Sequence, residues 1–164
     1  MRARVAAKRT LKGEKFTELI LEVLRLWGEL ESHGTRLTRP FGQTPSRWQV
    51  LGGADEGPRT VSQIARRMGL TRQGVQKVAH VLVRERLIEL VPNPDHRRSP
   101  ILRLTGRGKA VLERINAAQA VWSNEVAEGL RLPDLEAAVL AIREVTGRLK
   151  AAVGDGGPID PRRH

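Results

Sequence analysis

The sequence of 164 residues contains no cysteine, which excludes disulfides, thiolate metal sites and a cysteine-based redox switch. Its longest apolar run spans residues 137–142, far fewer than the roughly 20 apolar residues needed to cross a bilayer. The N-terminus is basic and lacks the apolar stretch of a signal peptide. We therefore expect a soluble, cytoplasmic protein that does not associate with a membrane.

Aromatic residues are also few, with three tryptophans, two phenylalanines and no tyrosine. The histidines show no metal-ligand spacing, and no Ser/His/Asp set or carboxylate pair indicates catalysis. The Gly-Arg-Gly-Lys stretch at 106–109 lacks the other residues of a phosphate-binding loop. We expect neither an enzyme nor a bound cofactor or metal.

Positive charge is what the sequence has in excess, and it is concentrated in one segment. The formal net charge is +11, and residues 59–109 hold twelve basic against three acidic residues. The first thirteen residues add five basic and no acidic ones, whereas the rest of the chain is close to neutral. This clustering predicts a polyanionic partner such as nucleic acid, with a merely solvated basic surface as the alternative.

The basic segment begins with two short helical patterns joined by a tight turn. The first pattern covers about residues 61–68 and ends at Gly69, which tolerates a left-handed backbone. Thr71 is placed to cap the second helix, which buries Val75, Val78, Ala79 and Leu82. This order predicts a helix-turn-helix. The polar outer face of its second helix carries Arg72, Gln73, Gln76, Lys77 and His80.

A hairpin pattern follows directly. Residues 87–91 and 101–104 are predicted strands, and residues 92–95 are dense in turn formers. Arg97 and Arg98 would lie at or near the tip, so the whole segment predicts a winged helix. Its second helix suits the DNA major groove and a guanidinium at the wing tip suits the minor groove. The alternative is that the two arginines only keep a hairpin soluble.

Amphipathic helices flank this segment at residues 14–33, at about 106–130 and from 135 to about 153. One small winged helix cannot cover three such apolar stripes. We therefore expect the helices to pack on each other and on a second copy of the chain. The resulting two-fold dimer places its recognition helices roughly 34 Å apart, whereas a closed intramolecular bundle is the alternative.

Individual side chains of the predicted DNA-binding surface have separate roles. Gln73 and Gln76 can read adenine edges, and Arg72 or Lys77 guanine, although the cationic pair can instead only hold phosphates. Thr71 caps its helix and can add a phosphate contact. The predicted DNA-binding set is Thr71, Arg72, Gln73, Gln76, Lys77, Arg97 and Arg98.

The winged-helix segment contains three specific stretches: residues 60–65 (TVSQIA), residues 69–75 (GLTRQGV), and the wing residues Asn93, Pro94, Asp95, His96, Arg97 and Arg98, which are followed by Leu104, Thr105 and Gly108. On these residues the sequence, from about Phe16 to Leu149, resembles the multiple antibiotic resistance regulator (MarR) family of bacterial transcription factors. The resemblance implies an obligate homodimer, a pseudo-palindromic operator and often repression relieved by a small ligand.

Some positions depart from the family pattern. The wing is about one residue longer than expected, so either Arg97 or Arg98 occupies its tip, and we expect Asp95 to brace one of them. Gly52, Gly53 and Gly74 fall inside predicted helices, where each glycine costs about 1 kcal/mol relative to alanine. We expect Gly74 to permit close approach of the recognition helix to a neighbour or to DNA.

The predicted fold is mainly α with a small β wing. We expect a basic disordered tail at 1–13, an N-terminal dimerisation helix at 14–36, the winged helix at 37–105, C-terminal dimerisation helices at 106–153 and a disordered tail at 154–164. The tryptophans are most simply core residues, although an effector pocket between the helical and winged parts can use Trp27, Phe41 or Trp48.

The predicted function is that of a dimeric, sequence-specific transcriptional regulator of the repressor type, with double-stranded DNA as partner and possible release by a small molecule. The alternative is an architectural protein that coats DNA without sequence preference. An enzyme that uses the winged helix only for docking has no supporting catalytic residues.

Overall fold

The computed structural model describes residues 8–96 and 98–154. Contacts divide the chain into two compact units, one ending at Val121 and the other beginning at Trp122. The expected mainly α fold with a small antiparallel sheet is confirmed. In chain order the elements are α1 (Leu11–Thr38), a 3-10 helix (Arg39–Phe41), α2 (Pro45–Asp55), β1 (Arg59–Thr60), α3 (Val61–Met68), α4 (Arg72–Arg84), β2 (Ile88–Val91), β3 (Ile101–Leu104), α5 (Gly106–Ala127) and α6 (Leu132–Gly154).

Helix α1 is longer at both ends than its periodicity predicts. The Thr10 hydroxyl accepts a hydrogen bond from the Gly13 N–H (3.1 Å) and caps a helix that begins at Leu11. The predicted disordered tail at 1–13 therefore reaches too far, and residues 1–7 lie outside the described residues. The helix continues through Gly34 and ends at Thr38. A Cβ on Gly34 would lie 3.2 Å from Cγ of Pro45, so this glycine makes room for the start of α2.

Helix α2 begins with Pro45 in its first position, and the Thr44 hydroxyl caps it by accepting from the Arg47 N–H (3.3 Å). Its two internal glycines do not interrupt it. A Cβ on Gly53 would lie 2.9 Å from Cγ2 of Ile64, so the missing side chain lets α2 pack closely against α3.

Local interactions fix both ends of α3, the first helix of the helix-turn-helix. The Thr60 hydroxyl accepts from the Gln63 N–H (3.4 Å), and the Gln63 side chain accepts from the Thr60 N–H (2.8 Å). At the other end Gly69 adopts φ 66°, the left-handed conformation expected of it. The predicted helix and its glycine turn are thus confirmed.

The sheet has the order β1-β3-β2 and is antiparallel throughout. The sequence did not predict β1, because a two-residue strand shows no alternation of its own. It pairs Arg59 with Leu102, while Ile88 of β2 lies opposite Leu104. The first predicted strand begins at Ile88 and not at Leu87, whose carbonyl instead accepts from the Thr105 N–H (3.1 Å).

One hydrophobic core joins the winged helix to the first part of α5. On α4 it includes Val75, Ala79 and Leu82, whereas Val78, predicted to be buried, is only half-buried. Because one face of α4 is held in the core, its opposite face lies in solvent. The other buried core members are Val50, Leu51, Ala54, Val61, Ile64, Ala65, Leu87, Ile88, Leu102 and Leu112.

The C-terminal helices also differ slightly from their predicted bounds. Helix α5 ends at Ala127 because Gly129 adopts φ 81°. Helix α6 begins at Leu132, before the predicted Leu135, and reaches Gly154, so the rest of the predicted C-terminal tail lies outside the described residues. None of the helices in the described part of the chain is long and apolar enough to cross a membrane.

Candidate DNA-binding surface

The start of α4 is organised by Thr71. Its hydroxyl accepts a hydrogen bond from the Gly74 N–H (3.0 Å), which confirms the predicted cap. A Cβ on Gly74 would lie 2.9 Å from that hydroxyl oxygen. Gly74 therefore has a local reason to lack a side chain, in addition to the predicted approach to a neighbour or to DNA.

The outer face of α4 presents most of the predicted DNA-binding side chains together. Arg72 and Gln73 are exposed in its first turn, and Lys77 is exposed one turn further on. Gln76 is half-buried, and its Nε2 lies 2.8 Å from Nε2 of His80. The structure thus brings four of the predicted residues onto one surface but gives Gln76 a partner that the sequence did not indicate.

The wing is shaped by Asn93. Its Oδ1 accepts from the Asp95 N–H (3.1 Å) and its Nδ2 donates to the Ser99 carbonyl (2.9 Å), so one amide closes the loop at both ends. Arg98 is exposed at this loop. Arg97 lies outside the described residues, so its place at the tip and its pairing with Asp95 stay predictions.

Basic side chains of the winged helix fall into paired and unpaired groups. Arg59 and Arg67 both bind Glu56, which lowers the pKa of that carboxyl, chiefly through the hydrogen bond from Arg67. Two further ion pairs join Arg47 to Glu85 (3.1 Å) and Arg103 to Glu89 (2.8 Å).

The cations selected from the sequence belong to the unpaired group. Within residues 8–96 and 98–154, no carboxylate lies in salt-bridge distance of Arg72, Lys77 or Arg98. Their charge is not neutralised within the fold, so it is available to an external anion.

Ser46 is a surface residue that the sequence analysis did not select. It lines a small cavity of about 110 Å³ together with Thr71, Gly74 and Val75, so the first turn of α2 lies beside the first turn of α4. The capping signal at Thr44 and Pro45 marked this helix start in the sequence. Only the packing of α2 on α4 brings it to the recognition helix.

Comparisons with known proteins agree with this geometry. The MarR family model matches residues 41–99. An uncharacterised protein of Mycobacterium tuberculosis is 40% identical over 139 residues, which cover 85% of this chain and 97% of that protein. The crystal structure of a MarR family transcription regulator superposes with a TM-score of 0.72 at 22% identity, covering 89% of this chain and 97% of the other.

The chain belongs to the MarR family of transcriptional regulators. A further structural relative is the transcriptional repressor CouR bound to a 23-mer DNA duplex. It shares 25% identity with this MarR-family chain, has a TM-score of 0.68, and is matched over 85% of this chain and 99% of its own.

The residues predicted for an effector pocket have other surroundings in this MarR-family chain. Trp27, expected to be most simply a core residue, is 57% exposed on α1, because the described residues leave that stripe uncovered. Trp48 Nε1 donates to Oδ1 of Asn116 (3.0 Å), and the Arg114 guanidinium lies 5.1 Å from the centre of the Phe41 ring. Their role in ligand binding stays a prediction.

A half-open cavity of about 450 Å³ lies elsewhere in the first unit. The C-terminal end of α2, the wing strands and the start of α5 form its walls. Its lining is mainly apolar, with Asp55, Arg103 and Lys109 as its charged members. Side chains of the described residues form no cluster of three or more metal-ligating groups.

Proposed function

We propose that this MarR-family chain is a homodimeric transcriptional repressor that binds a pseudo-palindromic DNA operator. The observation that carries the proposal is the outer face of α4, where Arg72 and Lys77 are exposed and have no carboxylate partner among the described residues. Three carboxylates of the winged helix, those of Glu56, Glu85 and Glu89, are already paired with other arginines, so they do not neutralise the cations of α4.

Helix α4 would enter the major groove, which is wide enough for one helix. Arg72 and Lys77 would contact guanine edges or phosphates, and Gln73 an adenine edge. Thr71 and Ser46, at the first turns of two helices, would contact backbone phosphates, since free N–H groups at a helix start favour anions. An arginine of the wing would reach the adjacent minor groove. The relative CouR is bound to a 23-mer DNA duplex, which supports duplex DNA as the partner of this chain.

Helix α1 supports self-association. Its apolar residues recur at alternating steps of four and three residues, the spacing of helices that pack along a shared seam. These side chains are 38% to 57% exposed in the single chain: Phe16, Ile20, Val23, Trp27 and Leu30. Exposed apolar stripes of this length indicate a surface that a partner covers.

Helix α6, in the second unit, also carries an exposed apolar stripe. Its described side chains are exposed except for the half-buried Val145. Leu135, Val139 and Ile142 form an apolar stripe at helical spacing. We propose that both helices contribute to the dimer, which would place two copies of α4 on one side of the duplex.

The proposal is tested by selecting bound duplexes from a random pool and measuring affinity for the selected sequence. We expect Arg72→Ala to relax the sequence preference. We expect Lys77→Ala to lower the affinity for all sequences and to reduce the slope of log affinity against log salt concentration by about one, as for the loss of one phosphate contact. Arg148→Ala is the matched control, because Arg148 is exposed on α6 and bonded to Glu144 (2.6 Å). Unchanged binding in both α4 variants would remove the proposed docking mode.

A DNA-coating protein would use the same cationic face, so sequence preference has to be measured. Competition between the selected duplex and bulk DNA separates the two functions. A sequence-specific regulator prefers its site by roughly 10³-fold or more, whereas a coating protein would show nearly equal affinities.

We also propose that a small ligand relieves repression by binding the cavity beside the wing. Its volume of about 450 Å³ is in the range of small-molecule sites, and its walls include both the wing strand β3 and the start of α5. A ligand there would contact the wing directly. Thermal-shift screening of metabolites against the wild type and Val91→Phe tests this, because the added ring would occupy part of the cavity and abolish the shift.

A further inference from the structure

Gln76 and His80 lie one turn apart on the outer face of α4, and their side chains are hydrogen-bonded. Gln76 Nε2 donates to His80 Nε2 at 2.8 Å. A ring nitrogen accepts only when it carries no proton, so this arrangement belongs to a neutral imidazole protonated on Nδ1. The amide oxygen of Gln76 is then left to accept from another group.

We propose that His80 determines which base edge Gln76 reads, and that protonation of His80 reverses the choice. This inference rests on the DNA-binding function proposed above. With a neutral ring, Gln76 presents its oxygen to the major groove. An oxygen pairs with the exocyclic amino groups of adenine and cytosine, which are donors.

Protonation changes the hydrogen bond that the amide can make. An imidazolium carries N–H groups on both nitrogens and can only donate. The Gln76 side-chain amide therefore has to flip, so that its oxygen accepts a hydrogen bond from the His80 ring. Its NH2 group then faces the groove and pairs with acceptors, which are O6 of guanine, O4 of thymine and N7 of either purine. The proton comes from solvent, and only hydrogen bonds are exchanged.

No carboxylate holds His80 in either state within the described part of the chain. Lys77 and Arg84 are its charged neighbours on α4, three and four positions away, and they oppose a further positive charge. Helix α3 has no acidic residue.

Most carboxylates on the other elements packed against α4 are paired with arginines, and Asp55 is the exception among the described residues. Glu56, next to α2, binds Arg59 and Arg67, and Glu89 of β2 binds Arg103. Glu85, which ends α4, is paired with Arg47. Asp55 of α2 makes no ion pair among the described residues. Phosphates of bound DNA would supply the charge that favours the imidazolium.

The coupling between the two side chains is testable without DNA. In NMR spectra of the ¹⁵N-labelled full chain, the Gln76 side-chain amide and the His80 ring are followed as the pH is lowered stepwise from about 8 to about 5. We expect both signals to move with one shared midpoint, and the amide movement to disappear in His80→Ala and persist in His96→Ala. A Gln76 amide that stays still while the His80 ring titrates would overturn the proposal.

Base preference is then measured by duplex selection at about one pH unit below and above the His80 midpoint. We expect the preference at the Gln76 position to change about tenfold between the two conditions. His80→Ala and Gln76→Ala should remove the change. His80→Lys, a permanent donor, should keep the low-pH preference at both pH values.

A pH effect on affinity that is equal for every base would refute the base-reading role, since general charge from His96 or other histidines would produce it. Failure to bind any duplex at either pH would refute the proposed function and the base-reading role together. The titration of the Gln76 amide would still decide whether the two side chains are coupled.

Discussion

Gly108 on α5 faces the carbonyl group of Leu87 with no space for a side chain. A Cβ at this position would overlap the carbonyl oxygen and lie 2.9 Å from the carbonyl carbon. The contact is held by Thr105, whose hydroxyl accepts from the Gly108 N–H (3.0 Å) and donates to the Arg86 carbonyl (2.7 Å). Arg86 itself adopts φ 57°. The Leu-Thr and glycine pattern that carried the family resemblance thus joins the wing to α5.

We expect Gly108→Ala to lower the free energy of unfolding by about 3 kcal/mol, because the backbone of the wing has to move to admit a methyl group. Gly106→Ala is the matched control on the same helix, since a Cβ there meets nothing within 4 Å. Urea unfolding at one fixed protein concentration measures both. Equal stabilities for the two variants would contradict the close contact.

Removal of the Thr71 hydroxyl should cost about 1 kcal/mol, because the Gly74 N–H loses its acceptor at the start of α4. Thr71→Val keeps the shape and lacks the hydroxyl, whereas Thr71→Ser keeps the cap and serves as the control. Thermal unfolding of the two variants gives the comparison. A Thr71→Val variant as stable as Thr71→Ser would contradict the contribution of the cap.

Glu56 should make stability depend on acid pH. Its hydrogen bonds to Arg67 and Arg59 lower its pKa in the folded state below the reference value of 4.5. The stabilisation is therefore present above the pKa of the unfolded chain and is lost as pH falls through the folded pKa. We expect Glu56→Gln to be less stable than the wild type near neutral pH, with the difference vanishing in strong acid.

The control for this comparison is Glu128→Gln, because Glu128 has no ion pair among the described residues. Unfolding midpoints in urea across the acid range give both curves. A difference between Glu56→Gln and wild type that is independent of pH would contradict the assignment.

The wing arginines should contribute to DNA affinity with little sequence preference. We expect Arg97→Ala to weaken binding by a similar factor for all duplexes, because a guanidinium in the minor groove responds mainly to groove width and charge. Arg98→Ala tests the alternative tip residue. Arg103→Ala is the control, since its guanidinium is bonded to Glu89 (2.8 Å). Footprints of the three variants decide which arginine enters the groove.

A charge placed in the exposed stripe of α1 should prevent self-association. We expect Val23→Glu to run as a monomer in size-exclusion chromatography with light scattering, because the proposed interface would bury an unpaired carboxylate. Glu22→Gln, next to it and outside the stripe, should leave the mass unchanged. A wild-type chain that is already monomeric would refute the dimer.

Local chemistry made the helix-turn-helix predictable from sequence. Thr60, Gly69 and Thr71 fix helix ends through hydrogen bonds and backbone conformations within a few residues, so their roles follow from residue type and spacing. The wing strands were found for the same reason, through a turn-rich stretch between two apolar runs. The cationic segment was visible because net charge is a property of composition.

Tertiary packing decided what local chemistry left open. Gly34 is an ordinary helix-ending signal, but the approach of Pro45 makes it an internal packing position. The two-residue strand β1 exists only because β3 offers it a partner. The sequence does not contain the distances between side chains. It therefore did not show which basic residues pair with a carboxylate, or that His80 is hydrogen-bonded to Gln76. Capping and helix breaking act within one turn, whereas pairing, burial and close approach require chain segments brought together by folding.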